Sequence, residues 1–581
     1  MGLFGNGVVG TALGRAPRER VQSPCQPPRA LCLALESAPQ SRVSRDRESV
    51  HPSGQRVPWT GEGPLGWGLG LVCPILCALF PEPPVTSPLS RSSVAEADQY
   101  HLAWWVLPAD LLTPVQAFRA LRASGHEGAL LESVEGVMRL ARYSFVAVDP
   151  RARLRARAGS VTMTEGGQET TRRGTALEAL RAALKSHAVP KAPPGLPPLV
   201  GGWLGFFGHE WVTELEPRIK RPDADPFGTP DASFELFRDV LAFDHATQRL
   251  YLITACPRGS SDHGQAQKTL AALAEDLFTD AGDFKGFELL DDGPVHGTSK
   301  AAFTEAVDTL RQAIGAGEVF QAVLSQGFSR RFSGDPFTLY RVLRLVNPAP
   351  HMFYWSSGGT TLIGSSPERL VSLRDGQCLS VPIAGTRPRG DTPAEDELLG
   401  IELMTDPKER SEHDMLVDLA RNDLGRVARV GSVRVREHAV LEKFPRVQHL
   451  VSRVESRLAA GRDALDLAAA CFPAGTVSGA PKVRALELVA ELEGRCRGPY
   501  AGAFGYFDGS GAAELAITIR TLVVQNDTVH WQAGAGIVWE SNPDLEYAET
   551  MHKARALAEA VSMAARPAFQ PPVAQAQGAR P

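Results

Sequence analysis

Paired cysteines, nucleophile motifs and an uninterrupted apolar run are all missing from this 581-residue sequence, and each absence closes off a class of protein. The eight cysteines are scattered, with no Cys-x-x-Cys pair and no paired zinc spacing. That fits a reducing cytosol better than a disulfide framework, so a cytoplasmic location is expected. Neither Gly-x-Ser-x-Gly nor His-Glu-x-x-His occurs, which disfavours hydrolases of those types, and a built-in glutaminase of the cysteine-triad kind is not expected. The most apolar segment, Pro64 to Phe80, is broken by Gly and Pro and is short for a span, so no membrane association is expected. Lysine is absent from the first 98 residues, which hold four of the eight cysteines.

What is present describes a soluble globular protein. Hydrophobic content is 43% and charged content 22%, with room for two to four domains. A net charge of −5 and a pI near 6.3 argue against a generic nucleic-acid binder. Residues 1–98 are rich in Arg, Pro, Ser and Gly without a sustained period, and are expected to be a disordered leader or one translated from too early a start. Gly5-Asn-Gly-Val-Val-Gly10 matches a dinucleotide fingerprint by letter, yet only four residues precede it, too few for the strand that motif needs.

The globular pattern begins near Tyr100. The spacing predicts a helix from Thr113, strands over 128–134 and 142–148, a Pro-rich loop over 189–198, a glycine-punctuated strand over 201–208 and a strand pair over 240–253. A helix over 266–278 and a polar connection ending near Thr298 complete a β-rich half, 99–296. In the second half, 297–566, a helix over 303–316 is closed by Gly317 and followed by a strand from Glu318 to Ser325. Alternating strands and helices then run to about Arg566, and the Pro/Ala/Gln tail 567–581 is expected to be disordered.

The densest chemistry lies in Thr405 to Arg426, a predicted helix with Thr405 or Asp406 as cap and Pro407 at its first position. Met415, Leu416 and Leu419 mark a core face, while Glu409 and Glu412 stand one turn apart on another. A second predicted helix, opening at Ser541-Asn-Pro-Asp-Leu-Glu546, repeats the pair with Glu546 and Glu549. Two acidic faces converging on one ion would supply oxygen ligands with room for water, a set suited to Mg²⁺; a solvated acidic face is the plain alternative. Pro382-Ile-Ala-Gly-Thr-Arg-Pro-Arg-Gly390 offers two guanidinium groups for an anionic ligand or a neighbouring acidic loop. Phe472 to Lys482 is a Gly-rich entry to a helix over 483–492 and could receive an anion or merely need small residues. Arg520, at the end of a predicted strand 516–520, and Gly534-Ala535-Gly536 suit a carboxylate clamp, and Lys553 could pair with Glu549 or with a ligand.

These segments, in this order from about Tyr100 to Arg566, resemble the chorismate-utilising enzymes, most closely the large subunits of anthranilate synthases. The resemblance implies an α+β fold in which large antiparallel sheets form a sandwich core with helices packed outside. It implies Glu412 and Glu549 as Mg²⁺ ligands with Glu409 and Glu546 behind them, and Thr476, Tyr500, Arg520, Gly534, Ala535, Gly536, Lys553 and Gly385 around the substrate. Glu368 matches the general acid that protonates the departing C4 hydroxyl, a role that requires burial to raise its pKa; a surface pair with Arg369 is the bland alternative. His449 and Thr386 complete the implied catalytic set, with a merely core-satisfied His449 as the alternative. The N-terminal half would hold a tryptophan inhibitor site at Glu132, Ser133, Pro350, His351 and Met352, with His351 where the family usually has Tyr; ordinary edge-strand positions are the alternative for Glu132 and Ser133.

Two positions discriminate within the family. Gln321 stands where water-adding members carry a lysine base, and an amide cannot serve as one. Ala384 stands where typical aminodeoxychorismate synthases present a lysine nucleophile. The resemblance therefore implies chorismate and ammonia as substrates, Mg²⁺ as cofactor and a separate glutamine amidotransferase subunit as partner. An aminodeoxychorismate synthase and a non-catalytic amino-acid-binding regulator remain the competing readings.

Overall fold

A computed structural model describes residues 100–133, 142–187, 189, 191–257, 262–279, 286–444 and 447–569. The leader and the segment Pro64 to Phe80 lie outside these, as do residues 570–581 of the tail; Pro567–Phe569, read as disordered, forms a single helical turn.

The strands read as continuous apolar runs because both of their faces are covered. In Gly128–Glu132, Ala129 enters one core and Leu130 another, and in His351–Ser357 the neighbours Phe353 and Tyr354 divide the same way. Successive side chains of a strand point to opposite faces, so no polar alternation survives in the sequence.

Among the described residues these strands form two large sheets, of 13 and 12 strands, whose ladders are antiparallel; a parallel bridge at Ala224 and Arg495 stands outside them. The first runs from Tyr100–Pro108 through Gly128–Glu132, His351–Ser357, Thr360–Ser366 and Thr528–Ile537 to Gln321–Gly334 and Phe287–Leu289. The second runs from Ile383–Pro388 through Val447–Arg457, Arg369–Arg374 and Ala503–Phe507 to Gly202–Phe207 and Gln168–Arg173. Between them lies an aromatic core in which Phe353 stacks on Phe504 at 4.0 Å and Phe206 meets Trp355 edge-on at 5.5 Å; such pairs add about 0.5–1.5 kcal/mol each beyond area burial. Helices 114–123, 262–276, 337–346 and 543–564 cover the outer face of the first sheet, and helices 176–186, 407–425 and 464–471 that of the second. This is the expected sandwich with helices outside.

The sequence halves do not form one sheet each. Gly128–Glu132 pairs with His351–Ser357, and Gly202–Phe207 with Ala503–Phe507, so each sheet draws strands from both halves. One boundary moves for a local reason. The strand expected over 318–325 begins at Gln321 and continues to Gly334, because Glu318 N–H closes the preceding helix on Ala313 O at 3.0 Å and Gly317 takes φ +79. The acidic helix starts as expected, with Pro407 first; of the two candidate caps Asp406 is the one used, because Thr405 ends the preceding helix Pro393–Thr405, and the helix runs to Gly425.

Candidate active site

Asp406 Oδ1 accepts from the backbone N–H groups of Lys408 at 2.9 Å and Glu409 at 3.2 Å, which fixes the start of the first acidic helix. His413, Leu416, Val417, Ala420 and Leu424 form its buried face, shifted slightly from the Met415/Leu416/Leu419 expectation, and Glu412 is left looking into the site. Asn542 caps the second acidic helix, Pro543–Ala564, accepting from Asp544 N–H at 3.0 Å and Leu545 N–H at 3.2 Å. The two helices converge. Burial raises the Glu412 pKa, and the negative charges of Glu409 and Glu549 raise it further; burial and Glu549 act likewise on Glu546.

Carboxylates on separate helices that repel one another in a half-buried pocket are a donor set that a hard cation relieves. Among the described residues no three ligand side chains are already gathered at metal distance. Glu409 Oε1 is held by Arg387 at 3.0 Å and Glu549 Oε1 by Lys553 Nζ at 2.7 Å. Two carboxylates with water and substrate oxygens are what Mg²⁺ ordinarily takes, so Glu412 and Glu549 fit such an ion.

Glu368 lies between two strands of the sandwich and is 5% exposed. Its carboxyl accepts from Thr476 Oγ1 at 2.6 Å, and its own peptide oxygen from Ile517 N–H at 3.0 Å. Burial pushes its pKa up to about 8, with the Thr476 hydrogen bond pulling the other way, so at neutral pH the group is mainly the protonated acid. The surface-pair alternative fails, because Arg369 turns to Glu514.

His449 stands opposite Thr386 in the sheet. Its Nδ1 is 3.0 Å from Gly385 O and 3.1 Å from Thr386 Oγ1. A carbonyl can only accept, so Nδ1 carries the hydrogen and Nε2 keeps its lone pair. Burial, assisted by the positive charge of Arg520, lowers the pKa and keeps the ring neutral.

Around these groups the glycines mark close approaches. A Cβ on Gly534 would lie 2.9 Å from Tyr500 Oη, and one on Gly536 would lie 2.3 Å from Gln321 Nε2. Ala535 differs from its expectation: between the two glycines it points to the other face and packs in the core with Val307 and Val489, so only its backbone borders the site. Arg520 also differs, since the strand ends at Ile517 and Arg520 sits in the following turn at φ +50, its Nη1 donating to Lys553 O at 2.8 Å. Lys553 Nζ spans Glu549 and Gly534 O, the latter at 3.1 Å. Gln321 donates its amide to Glu412, and among the described residues its Oε1 is buried without a partner.

Sequence reasoning missed the polar cluster that shapes this wall. Arg497 donates to Val477 O at 2.9 Å and Val323 O at 2.7 Å, is paired with Glu493, and its peptide N–H meets Glu210 at 2.7 Å. Glu493 and Arg497 are four residues apart, but Gly494 ends the helix between them at φ +61, so helical spacing gave no signal for the pair. One letter match runs against an expectation: Gly494-Arg-Cys-Arg-Gly498 reads Gly-x-Cys-x-Gly. Cys496 is buried, its thiol is pushed up to about 12 by burial and by Glu210, and it hydrogen-bonds Pro222 O at 3.5 Å, so it is no nucleophile.

The implied inhibitor residues are brought together elsewhere. Glu132 pairs with Met352 in the ladder, and His351 with Ser366. Glu132 is 5% exposed and accepts from Tyr340 Oη at 2.5 Å and Arg344 Nε at 3.0 Å, so it is an interior residue and not an edge one. Among the described residues Ser133 Oγ is buried with no partner, and burial lowers the pKa of His351 to about 3. Pro350 precedes this strand in the loop from the helix 337–346.

Two acidic helices, a buried protonated carboxyl and a neutral imidazole on a β-sandwich define a class, and the chain belongs to the chorismate binding enzyme family, whose model matches residues 129–559. It is 44% identical over 487 residues to "Anthranilate synthase component 1" of Synechocystis sp., covering 79% of this chain and 94% of that one. It is 43% identical over 466 residues to the protein of the same name from Streptomyces coelicolor, with 78% and 88% covered. The crystal structure of anthranilate synthase component I from Streptococcus pneumoniae superposes with a TM-score of 0.65 at 36% identity, covering 72% and 92% of the two chains. The menaquinone-specific isochorismate synthase from Escherichia coli, at 19% identity and a TM-score of 0.61, shares the fold.

Proposed function

We propose that the chain is the chorismate-converting subunit of an anthranilate synthase: chorismate and ammonia give anthranilate, pyruvate and water, with Mg²⁺ required and ammonia delivered by a separate glutamine amidotransferase subunit in the cytoplasm. The observation that carries this reading is the nucleophile side of the pocket. Gln321 and Ala384 offer an amide and a methyl group, so neither a general base for water nor a lysine nucleophile is supplied there, and ammonia is left to attack C2.

Mg²⁺ held by Glu412 and Glu549 would neutralise and orient the ring carboxylate. Arg520 is the cation for the enolpyruvyl carboxylate, with Tyr500 and Thr476 against the pocket wall. Glu368 gives its proton to the C4 hydroxyl, which leaves as water while ammonia bonds to C2 and the ring double bonds shift; the ammonium so formed then loses one proton, which balances the one Glu368 gave. The bare Nε2 of His449 accepts the C2 hydrogen as the enolpyruvyl group departs, to become pyruvate on protonation. Glu132, fixed by Tyr340 and Arg344, and the unpartnered Ser133 Oγ support a second site, for feedback by tryptophan.

The test is an assay of the purified chain with chorismate and ammonium salt, with and without Mg²⁺, the product being identified by fluorescence and chromatography. Mg²⁺-dependent anthranilate is expected. The para-amino pathway product would favour the aminodeoxychorismate branch, and no conversion at all would leave the non-catalytic reading.

A further inference from the structure

Two guanidinium groups in Gly385-Thr-Arg-Pro-Arg389 have no part in the chemistry above. Arg389 is spent locally, on Asp396 at 2.6 and 3.0 Å and on Phe444 O at 2.7 Å. Arg387 does something different. Its Nε donates to Glu402 Oε1 at 2.9 Å, its Nη2 to Asp406 Oδ2 at 3.0 Å and its Nη1 to Glu409 Oε1 at 3.0 Å, with Nη1 also on Thr386 O at 3.0 Å. One planar fork thus joins the last turn of helix 393–405, the cap of helix 407–425 and the first turn of that helix, while its own backbone belongs to strand 383–388. A lysine could not span those directions from one point charge.

The backbone beside it is shaped for the same contact. The ladder slips between Ala384 and Thr386, which pushes Gly385 out at φ +68. A Cβ there would lie 2.8 Å from Leu403 Cδ1 and 3.1 Å from Glu409 Oε2. Glu409 is therefore gripped on one oxygen by Arg387 and covered at the other by Gly385, whose carbonyl in turn receives His449. Glu412 follows on the next helical turn of the same helix.

We infer that Arg387 is a positioning residue that locks the strand carrying Gly385 and Thr386 to the helix carrying Glu412, so that a divalent ion and chorismate bind as one cooperative event. The inference rests on the reading of Glu412 and Glu549 as metal ligands. Coupling of this kind is reciprocal: whatever factor chorismate adds to ion affinity, the ion adds to chorismate affinity.

The experiment is calorimetric titration of Mg²⁺ into the full chain, with and without saturating chorismate, and with ammonia left out so that the amination cannot proceed. In the unsubstituted protein chorismate is expected to tighten Mg²⁺ binding by about tenfold or more, within the usual span of coupling factors. In Arg387→Gln and Arg387→Lys, Mg²⁺ affinity without chorismate should stay within about threefold, while the enhancement by chorismate falls by about threefold or more, the remainder being the direct contact of the ion with the ring carboxylate. Arg387→Lys keeps a positive charge among the three acids, so it decides the question if the Gln variant does not fold. An enhancement of full size in a folded Arg387 variant overturns the inference. Glu412→Gln separates the two readings: loss of Mg²⁺ binding there upholds the metal assignment, whereas unchanged Mg²⁺ binding would overturn that assignment and the inference built on it.

Discussion

Glu368 and Glu132 are buried to the same extent, 5% exposed each, yet their surroundings are opposite. Glu132 meets a guanidinium and a phenol, from Arg344 and Tyr340 on one helix. Among the described residues the side chain hydrogen-bonded to Glu368 is the hydroxyl of Thr476, the neighbouring Arg369 is turned to Glu514, and apolar Leu416, Leu419 and Ile517 line the cavity onto which Glu368 opens. Burial without a compensating cation is what raises the pKa of Glu368, because the charged form is what desolvation penalises.

The comparison can be broken at several points. The largest effect belongs to the two carboxylates read as metal ligands: Glu412→Gln or Glu549→Gln should abolish Mg²⁺-dependent turnover with the fold intact, since each would remove one anionic ligand from a two-carboxylate site. Full activity of either variant at low Mg²⁺ would sink the metal assignment. Next, Glu368→Gln should lower kcat by about 10²–10⁴-fold with little change in KM, because an amide keeps a hydrogen bond but delivers no proton. In the unsubstituted enzyme, activity should fall as pH rises through the Glu368 pKa of about 8, and Glu368→Gln should lose that limb of the profile.

On the Glu132 side, Ser133→Phe should fill the space at the unpartnered hydroxyl. Tryptophan inhibition should then weaken by an order of magnitude or more while uninhibited turnover stays near normal, roughly the range of ordinary allosteric coupling. Titration of tryptophan against turnover checks this; equal inhibition of both proteins would remove the site from Ser133, and no inhibition of either would strengthen the aminodeoxychorismate alternative.

The smallest effect is on stability. The folded-state pKa of Glu368 is raised to about 8, above its ordinary value, so the folded chain holds a proton that the unfolded chain releases. Stability is fully present below the unfolded pKa of about 4.3 and declines until pH passes the folded value, by a few kcal/mol at most. Glu368→Gln should therefore unfold at a higher temperature than the unsubstituted protein at pH near 8, and the gap should close on acidification. A gap that does not vary with pH would mean that the carboxyl is not held in its acid form.

The sequence showed best what is local. Asp406 and Asn542 cap their helices as their residue types and the following prolines suggest, and the acid pairs at i, i+3 face the site because helical spacing leaves little choice. Glu368 was legible through its motif, but the reason it is an acid was not, since Thr476 and Ile517 reach it from more than a hundred residues away. The same distance hid Tyr340 and Arg344 from Glu132. Arg520 and Ala535 were misplaced for a different reason: a turn at positive φ and the inward face of a strand covered on both sides leave no periodic trace. Sheet order was out of reach for the reason that makes such sheets slow to assemble, namely that their pairings join residues far apart in the chain.

Because strands 128–132 and 202–207 find their partners at 351–357 and 503–507, the chain is laced like a shoe rather than built as two rooms. Separating the chain ahead of Phe287 would cost each sheet one central ladder and leave four raw strand edges, which pair promiscuously when exposed. Each piece expressed alone should be insoluble, and the two expressed together should recover the enzyme, the lacing being completed between separate molecules.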